Sequence, residues 1–281
     1  MYMEHSSIPY LLQHIPDPPK QLYVRGELPN QEEYKFLTII GARKFTTYGK
    51  QVCENIIKGL AGYPIVIVSG LALGIDAIAH QAAIDNDLKT IAIPGSGLDD
   101  SVLYPASNRG LAQSIIKNRG CLLSEFEPDF KATNWSFPKR NRIMAGLSHA
   151  TLVIEAENIS GTRITARMAT EYNREVFAVP GSIFSPTSEG TNELIREGAT
   201  PITSAQDIID FFEFKENTTT QKQFIALGPE EEKVMNLLVQ PLSRNKIAEE
   251  LQINIIKLNI LLSSMEIKGL IKEELGKMYR R

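Results

Sequence analysis

The sequence has little that would serve redox, metal or membrane chemistry. It contains two cysteines in 281 residues, Cys53 and Cys121, far apart. That argues against a disulfide framework and fits a reduced, cytoplasmic setting. Its four histidines, His5, His14, His80 and His149, are scattered, with no His-x-x-x-His pair, so no metal site is expected. No apolar run is long enough to span a bilayer, and no charged start leads into an apolar stretch of the kind a secretory signal needs. The Gly-x-x-x-x-Gly-Lys-Ser/Thr loop of P-loop NTPases is missing, as is a clean Gly-x-Gly-x-x-Gly after the first strand. These two absences argue against a P-loop NTPase and weaken a dinucleotide-enzyme reading. A strong excess of one charge is missing too. With a net charge of −3, any nucleic-acid site has to be a local basic pocket in a mildly acidic molecule.

What is present is the patterning of a globular α/β protein. The hydrophobic fraction is 43% and the charged fraction 22%, outside the range of global disorder. Residues 1–35 are Pro-rich and polar and read as an irregular lead-in with a short strand at Leu22–Val24. From Phe36, short apolar runs alternate with amphipathic stretches. FLTIIG (36–41), IVIVSG (65–70), TIAIPG (90–95), CLLSE (121–125), TLVIEA (151–156) and VFAVPG (176–181) read as strands. Helices are expected over 46–60, 74–86, 106–118 and 162–173, with short ones near 191–197 and 204–213. Continuous apolar strands signal burial on both faces, and strand–helix alternation predicts a mostly parallel, doubly wound Rossmann-like sheet over 36–213 with right-handed crossovers. Residues 214–227 lose periodicity and read as a linker. Residues 228–281 show three helices and two edge strands around Gly276, a winged-helix pattern.

In such sheets ligands bind beyond the carboxyl ends of the strands, so the turns there carry the chemistry. They read Gly41-Ala42-Arg43-Lys44, Ser69-Gly70 running on to Asp76, Pro94-Gly95-Ser96-Gly97, Ser160-Gly161-Thr162-Arg163 and Pro180-Gly181-Ser182. Glycine lets a phosphate approach the backbone, and free N–H groups at a helix start attract anions. Tight turns use Gly and Ser in any case; it is their convergence on one edge that points to an anion site. The segment FPKRNRIMAGLSHA (137–150) adds Lys139, Arg140 and Arg142 at a helix start. Cations there oppose the helix dipole unless an anion meets them, and guanidinium forks match phosphate oxygens. Asn141 can donate to a phosphate or a base edge, and Trp135 and Phe137 can stack on a base. The competing structural reading is a solvated basic turn with both rings in the core.

These segments, with GARKFTTYG, SGLALGIDAIAH, VIEAENISGTRITA and VPGSIFSPTSEGTNELIREGA, occur in the order seen in the DNA-processing protein A (DprA/Smf) family, which the chain resembles over roughly residues 15–210. The resemblance implies an extended Rossmann fold and a cytoplasmic, non-catalytic protein without a cofactor. It implies binding of single-stranded DNA with little sequence preference, protection of incoming DNA and loading of the RecA recombinase in natural transformation. A homodimer is also implied. Carried over residue by residue, the DNA pocket involves Gly41, Arg43, Ser69, Gly70, Lys139, Arg140, Asn141 and Arg142, with Gly161 and Thr162 on the same edge; Arg43 and Lys139 are the leading phosphate contacts. Ala42 stands where relatives often carry Ser, and Arg163 where an apolar residue is common.

Two other functions compete. A nucleotide-binding or nucleotide-hydrolysing Rossmann-type enzyme would use a carboxylate base, for which Asp76, Glu125 and Glu155 are placed near strand ends. Against it, PGSG is followed by Leu98-Asp99-Asp100 and not by a Pro-Gly-Gly-x-Gly-Thr-x-x-Glu motif. A transcription regulator would use the winged helix, but the helix in the recognition position carries Lys257 and Lys268 in an Ile- and Leu-rich segment, unlike a duplex-reading helix.

Overall fold

The computed structural model describes residues 2–4, 8–158, 160–214, 228–238, 241–267, 270–274 and 276–280. The expected linker lies, apart from Phe214, outside the described residues. The chain divides into two compact units, 1–217 and 218–281.

The first unit is built on a nine-stranded sheet. Strands β3 (Lys35–Ile40), β4 (Ile65–Ser69), β5 (Lys89–Ala92) and β6 (Cys121–Ser124) lie side by side and parallel. The chain then returns to the other side of β3 with β7 (Ala150–Val153), β8 (Glu175–Ala178) and the two-residue β9 (Thr200–Pro201), all parallel. The direction of winding therefore reverses between β3 and β7. Alternation along each strand feeds two cores. Phe36 and Ile40 of β3 and Val66 and Val68 of β4 face one layer, and Leu37, Ile39, Ile65 and Ile67 face the other. The first layer is covered by α5 (Ser136–Leu147), α6 (Gly161–Glu171) and α7 (Pro186–Arg196), the second by α2 (Thr47–Gly59), α3 (Ile75–Asp85) and α8 (Ala205–Phe211). Helix α4 (Arg109–Lys117) covers a smaller cluster with Leu71 and Leu122. Both faces of the sheet are buried, which is why the strands read as uninterrupted apolar runs.

The lead-in is more ordered than its prolines suggest. It holds β1 (Tyr2–Glu4), a one-turn α1 (Tyr10–Gln13) and β2 (Gln21–Gly26). Strand β2 pairs antiparallel with β6, and β1 with β2, so residues 1–35 extend the sheet. The reason is burial: Ile8, Leu12, Ile15, Leu22 and Val24 enter the first core. The strand expected at Leu22–Val24 was the visible part of this.

The second unit contains α9 (Pro229–Leu237), β10 (Leu242–Ser243), α10 (Arg244–Leu251), α11 (Ile255–Ile267), β11 (Ile271–Glu274) and β12 (Lys277–Arg280). The strands form an antiparallel sheet in the order β10-β12-β11. Val234, Ile247, Leu258, Leu262 and Met278 make its core. The three helices and the β11–β12 pair come in the order read from the sequence, and β10 was not expected.

Candidate nucleic-acid interface

Ligands of doubly wound sheets bind where the winding reverses, beyond the carboxyl ends of the strands. Here that place is occupied by a cleft of about 480 Å³. One wall is the turn after β3, Gly41 to Lys44; another is the first half of α5, with Phe137, Pro138, Arg140 and Asn141; the third is the start of α6, Ser160 to Thr162. Gly41 is needed for packing, since a Cβ there would lie 2.7 Å from Ile75 Cγ1. A Cβ on Gly161 would meet no protein atom, so the space beside this backbone is open to a ligand. Ser160 precedes α6 with extended backbone and gives no side-chain cap, no acid stands in the first turn, and the Ser160 Oγ is buried without a partner among the described residues. An uncapped helix start of this kind presents N–H groups and the positive dipole end to an anion. Thr162 Oγ1 donates to Gly41 O at 3.3 Å, tying the two phosphate-sized turns together.

The cationic side chains divide into two groups. Arg43 and Lys44 are exposed at the cleft, and Arg43 Cζ lies 5.6 Å from the Phe137 ring centroid. Arg140 also lines the cleft but is only 5% exposed, and its Nη1 donates to Ile93 O. Burial brings its pKa down to about 10 against the opposing pull of Asp76, so it stays cationic at neutral pH. Lys139 and Arg142 do not line this cleft. Helical spacing places them together on another face of α5, where Arg142 Nη2 lies 2.5 Å and Lys139 Nζ 3.5 Å from Glu125 Oε2. Arg142 also donates through Nη1 to Asp17 O at 2.6 Å. Its guanidinium is committed inside the protein and is withdrawn from the phosphate contacts.

The Ser69–Gly70 turn works one layer below. Ser69 Oγ donates to Ile39 O at 2.6 Å inside the sheet, so Ser69 does not line the cleft. Gly70 N–H donates to Asp76 Oδ2 at 3.1 Å, and a Cβ on Gly70 would collide with both Arg140 Nη1 and Asp76 Oδ2. Burial pushes the Asp76 carboxyl up, while Arg140 and the N–H groups of Ala72 and Gly70 pull it down. Gly70 borders a small adjoining hollow of about 30 Å³ with Arg43, Leu73, Tyr104, Phe137 and Arg140. Asn141 lines the main cleft and is half-buried.

Lys44, Ser160 and Glu157 also line the cleft and were not among the site residues expected from the sequence. Lys44 and Ser160 sit inside turns singled out there, and chain adjacency was their only signal. Glu157 places an acid at the rim that nothing in the sequence pattern flagged. Arg163 does not line the cleft: its Nη2 lies 2.9 Å from Glu197 Oε1, and it borders a neighbouring cavity of about 800 Å³ that shares Ser160, Gly161 and Ile164 with the cleft. The carboxylates of the enzyme alternative are all engaged by protein donors. Glu155 receives Thr46 N–H at 2.9 Å and Thr46 Oγ1 at 2.5 Å, Glu125 receives Arg142, and Asp76 receives Gly70 N–H. The rings expected in the core under the structural reading are not there: Trp135 is 56% exposed and Phe137 lines the cleft.

Fold and site together define a doubly wound α/β protein with a crevice at its switch point lined by Arg43, Lys44 and Arg140. The model of the family described as DNA recombination-mediator protein A matches residues 1–213, and the chain belongs to that family. It is 44% identical over 206 residues to DNA processing protein DprA of Streptococcus pneumoniae, covering 73% of this chain and 71% of the relative. To DNA processing protein DprA of Bacillus subtilis it is 42% identical over 202 residues, covering 72% and 67%. The X-ray structure of the S. pneumoniae protein superimposes with a TM-score of 0.70 at 41% identity, covering 76% of this chain and 75% of the other. DNA processing protein A of Helicobacter pylori, solved to describe its single-stranded DNA binding mode, gives a TM-score of 0.68 at 35% identity, covering 76% and 96%. Among the described residues, no helix is long and apolar enough to cross a membrane and no cluster of His, Cys, Asp or Glu could hold a metal ion.

Proposed function

We propose that this protein binds single-stranded DNA in the switch-point cleft and acts as a non-catalytic, cytoplasmic recombination mediator. The observation that carries this reading is the meeting of an uncapped α6 N-terminus with Arg43, Lys44 and Arg140 around one open glycine turn. Backbone N–H groups and guanidinium forks hold phosphates irrespective of base, which gives binding with little sequence preference. A recessed cleft suits a flexible single strand, whose backbone can dip between loops, better than a stiff duplex. The single-stranded DNA binding described for the H. pylori relative supports the same ligand. In this reading the bound strand is protected and then handed to the RecA recombinase in natural transformation or general recombination. Two copies acting as a homodimer would hold a longer stretch of strand than one.

The test is fluorescence anisotropy with labelled oligo-dT over a salt series. Three cleft cations at about −0.7 each give an expected slope of log K against log salt of about −2. Arg43→Ala/Lys44→Ala is expected to weaken binding strongly and flatten the slope. Absence of wild-type binding at low salt, or unchanged binding by the double variant, would overturn the assignment.

A further inference from the structure

The exposed apolar side chains of the first unit are not scattered. Among its described residues, every large exposed one except Tyr10 and Phe211 lies in a turn or first helical turn that follows the carboxyl end of a parallel strand. Phe45 follows β3, Leu73 β4, Tyr104 β5, Trp135 β6, Ile164 β7 and Phe184 β8. Single exposed apolar residues are ordinary, but their confinement to the edge that carries the anion cleft calls for a ligand with flat apolar faces.

One of these residues sits in a built environment. The Trp135 indole packs edge-on against Phe126 and Phe130, with centroids at 5.7 and 5.6 Å, and those two rings stack at 4.6 Å. The loop beneath is pinned to the turn after β5: Gly97 N–H donates to Phe130 O at 2.8 Å and Ser136 Oγ to Gly95 O at 2.6 Å. The indole is thus held in place with more than half its surface in water. Lys139 Nζ lies 5.8 Å from its centroid. The Lys139 partner Glu125 is already held at 2.5 Å by Arg142, and the Lys139 side chain is 44% exposed. Its pair with the buried Glu125 is the longer of the two at 3.5 Å, and the Lys139 end of it is open to a phosphate.

We propose that Trp135 and Lys139 form a second nucleotide subsite, in which Trp135 stacks a base and Lys139 meets the adjoining phosphate. A strand leaving the switch-point cleft would pass Phe137 and Tyr104, whose rings lie 5.6 Å apart, and reach Trp135 at the β6 end of the edge. This rests on the cleft binding single-stranded DNA. It also gives Lys139 a ligand outside the cleft. Stacking on an aromatic platform is tolerant of sequence and needs unpaired bases.

Trp135 is the only tryptophan in the chain, so its emission reports this subsite alone. The full-length protein is titrated with oligo-dT of about 16 nucleotides and of about 4 nucleotides, following anisotropy and tryptophan emission together. The expected result is loss of emission with the long oligonucleotide, saturating with the anisotropy change. Trp135→Ala is expected to weaken the long oligonucleotide about 10-fold and leave the short one unchanged. Anisotropy binding without a change in emission would overturn the subsite while leaving the central cleft standing. No anisotropy change at either length would remove both. The wild-type emission measurement decides the matter even if Trp135→Ala fails to fold.

Discussion

Arg142 Nη2 and Glu125 Oε2 meet at 2.5 Å with both side chains less than a tenth exposed. The same guanidinium reaches Asp17, so it pins the N-terminal segment to the β6–α5 connection. Breaking a buried pair strands the remaining charge. Arg142→Ala is therefore expected to destabilise the protein by about 3–5 kcal/mol. Urea unfolding of the variant measures this; a midpoint equal to wild type would contradict the structural role assigned to Arg142.

Arg43 is expected to behave in the opposite way. Its side chain is exposed and lies over the face of Phe137, so Arg43→Ala should leave stability within about 0.5 kcal/mol of wild type. It should reduce the magnitude of the salt slope for oligo-dT by about 0.7. Comparing the salt series of the two proteins separates the loss of a phosphate contact from a folding defect.

Gly70→Ala tests the layer beneath the cleft. The added methyl would collide with Arg140 and Asp76, and overpacking of this kind costs about 1–3 kcal/mol. Because Arg140 has to move, DNA affinity should fall with stability. A variant that unfolds normally but still binds weakly would show that Arg140's position, and not only its charge, shapes the cleft.

Two histidines, His80 buried and His149 half-buried, set a pH dependence. Phe36 N–H donates to His149 Nδ1 at 3.0 Å, and burial lowers the His149 pKa to about 4. His80 Nδ1 lies 2.7 Å from Thr90 Oγ1, and burial, reinforced by Arg140, lowers its pKa to about 3. A histidine free in the unfolded chain titrates near 6.5. Below that value the unfolded state binds protons that the folded state refuses, so stability rises with pH there. The stabilisation is complete above about pH 6.5 and is lost as pH falls toward 4 and then 3. Urea midpoints at stepped pH should decline across that window, and a flat profile would contradict the neutral rings.

Glu155 distinguishes the mediator from an enzyme. It receives the Thr46 N–H and hydroxyl, and Thr46 in turn caps α2 by accepting from Gly49 N–H at 3.1 Å. Glu155→Gln should cost about 1–3 kcal/mol of stability and leave oligo-dT affinity unchanged. Folded Glu155→Gln that binds DNA poorly would place this carboxylate in the site after all.

The parallel sheet was legible because its strands are short, mostly apolar runs, several of them closed by glycine turns, and the same turns marked the edge where the cleft lies. Of the N-terminal strands only Leu22–Val24 was read, because the prolines around it remove hydrogen-bond donors and masked a segment whose side chains still reach the core. Which cations face the cleft was not legible either. Side-chain direction on α5 depends on the phase at which the helix begins, and Ser136 sets that phase by bonding to Gly95 O across the sheet edge. With that start, 139 and 142 fall together opposite Glu125, while 137, 140 and 141 face the switch point.

The far side of the sheet ends in β9, two residues long, the second of them Pro201. Proline offers no N–H, so no further strand can be recruited in register along this border. A second sheet edge brought against this border would find no N–H at Pro201 to bond, which guards β9 against edge-to-edge pairing.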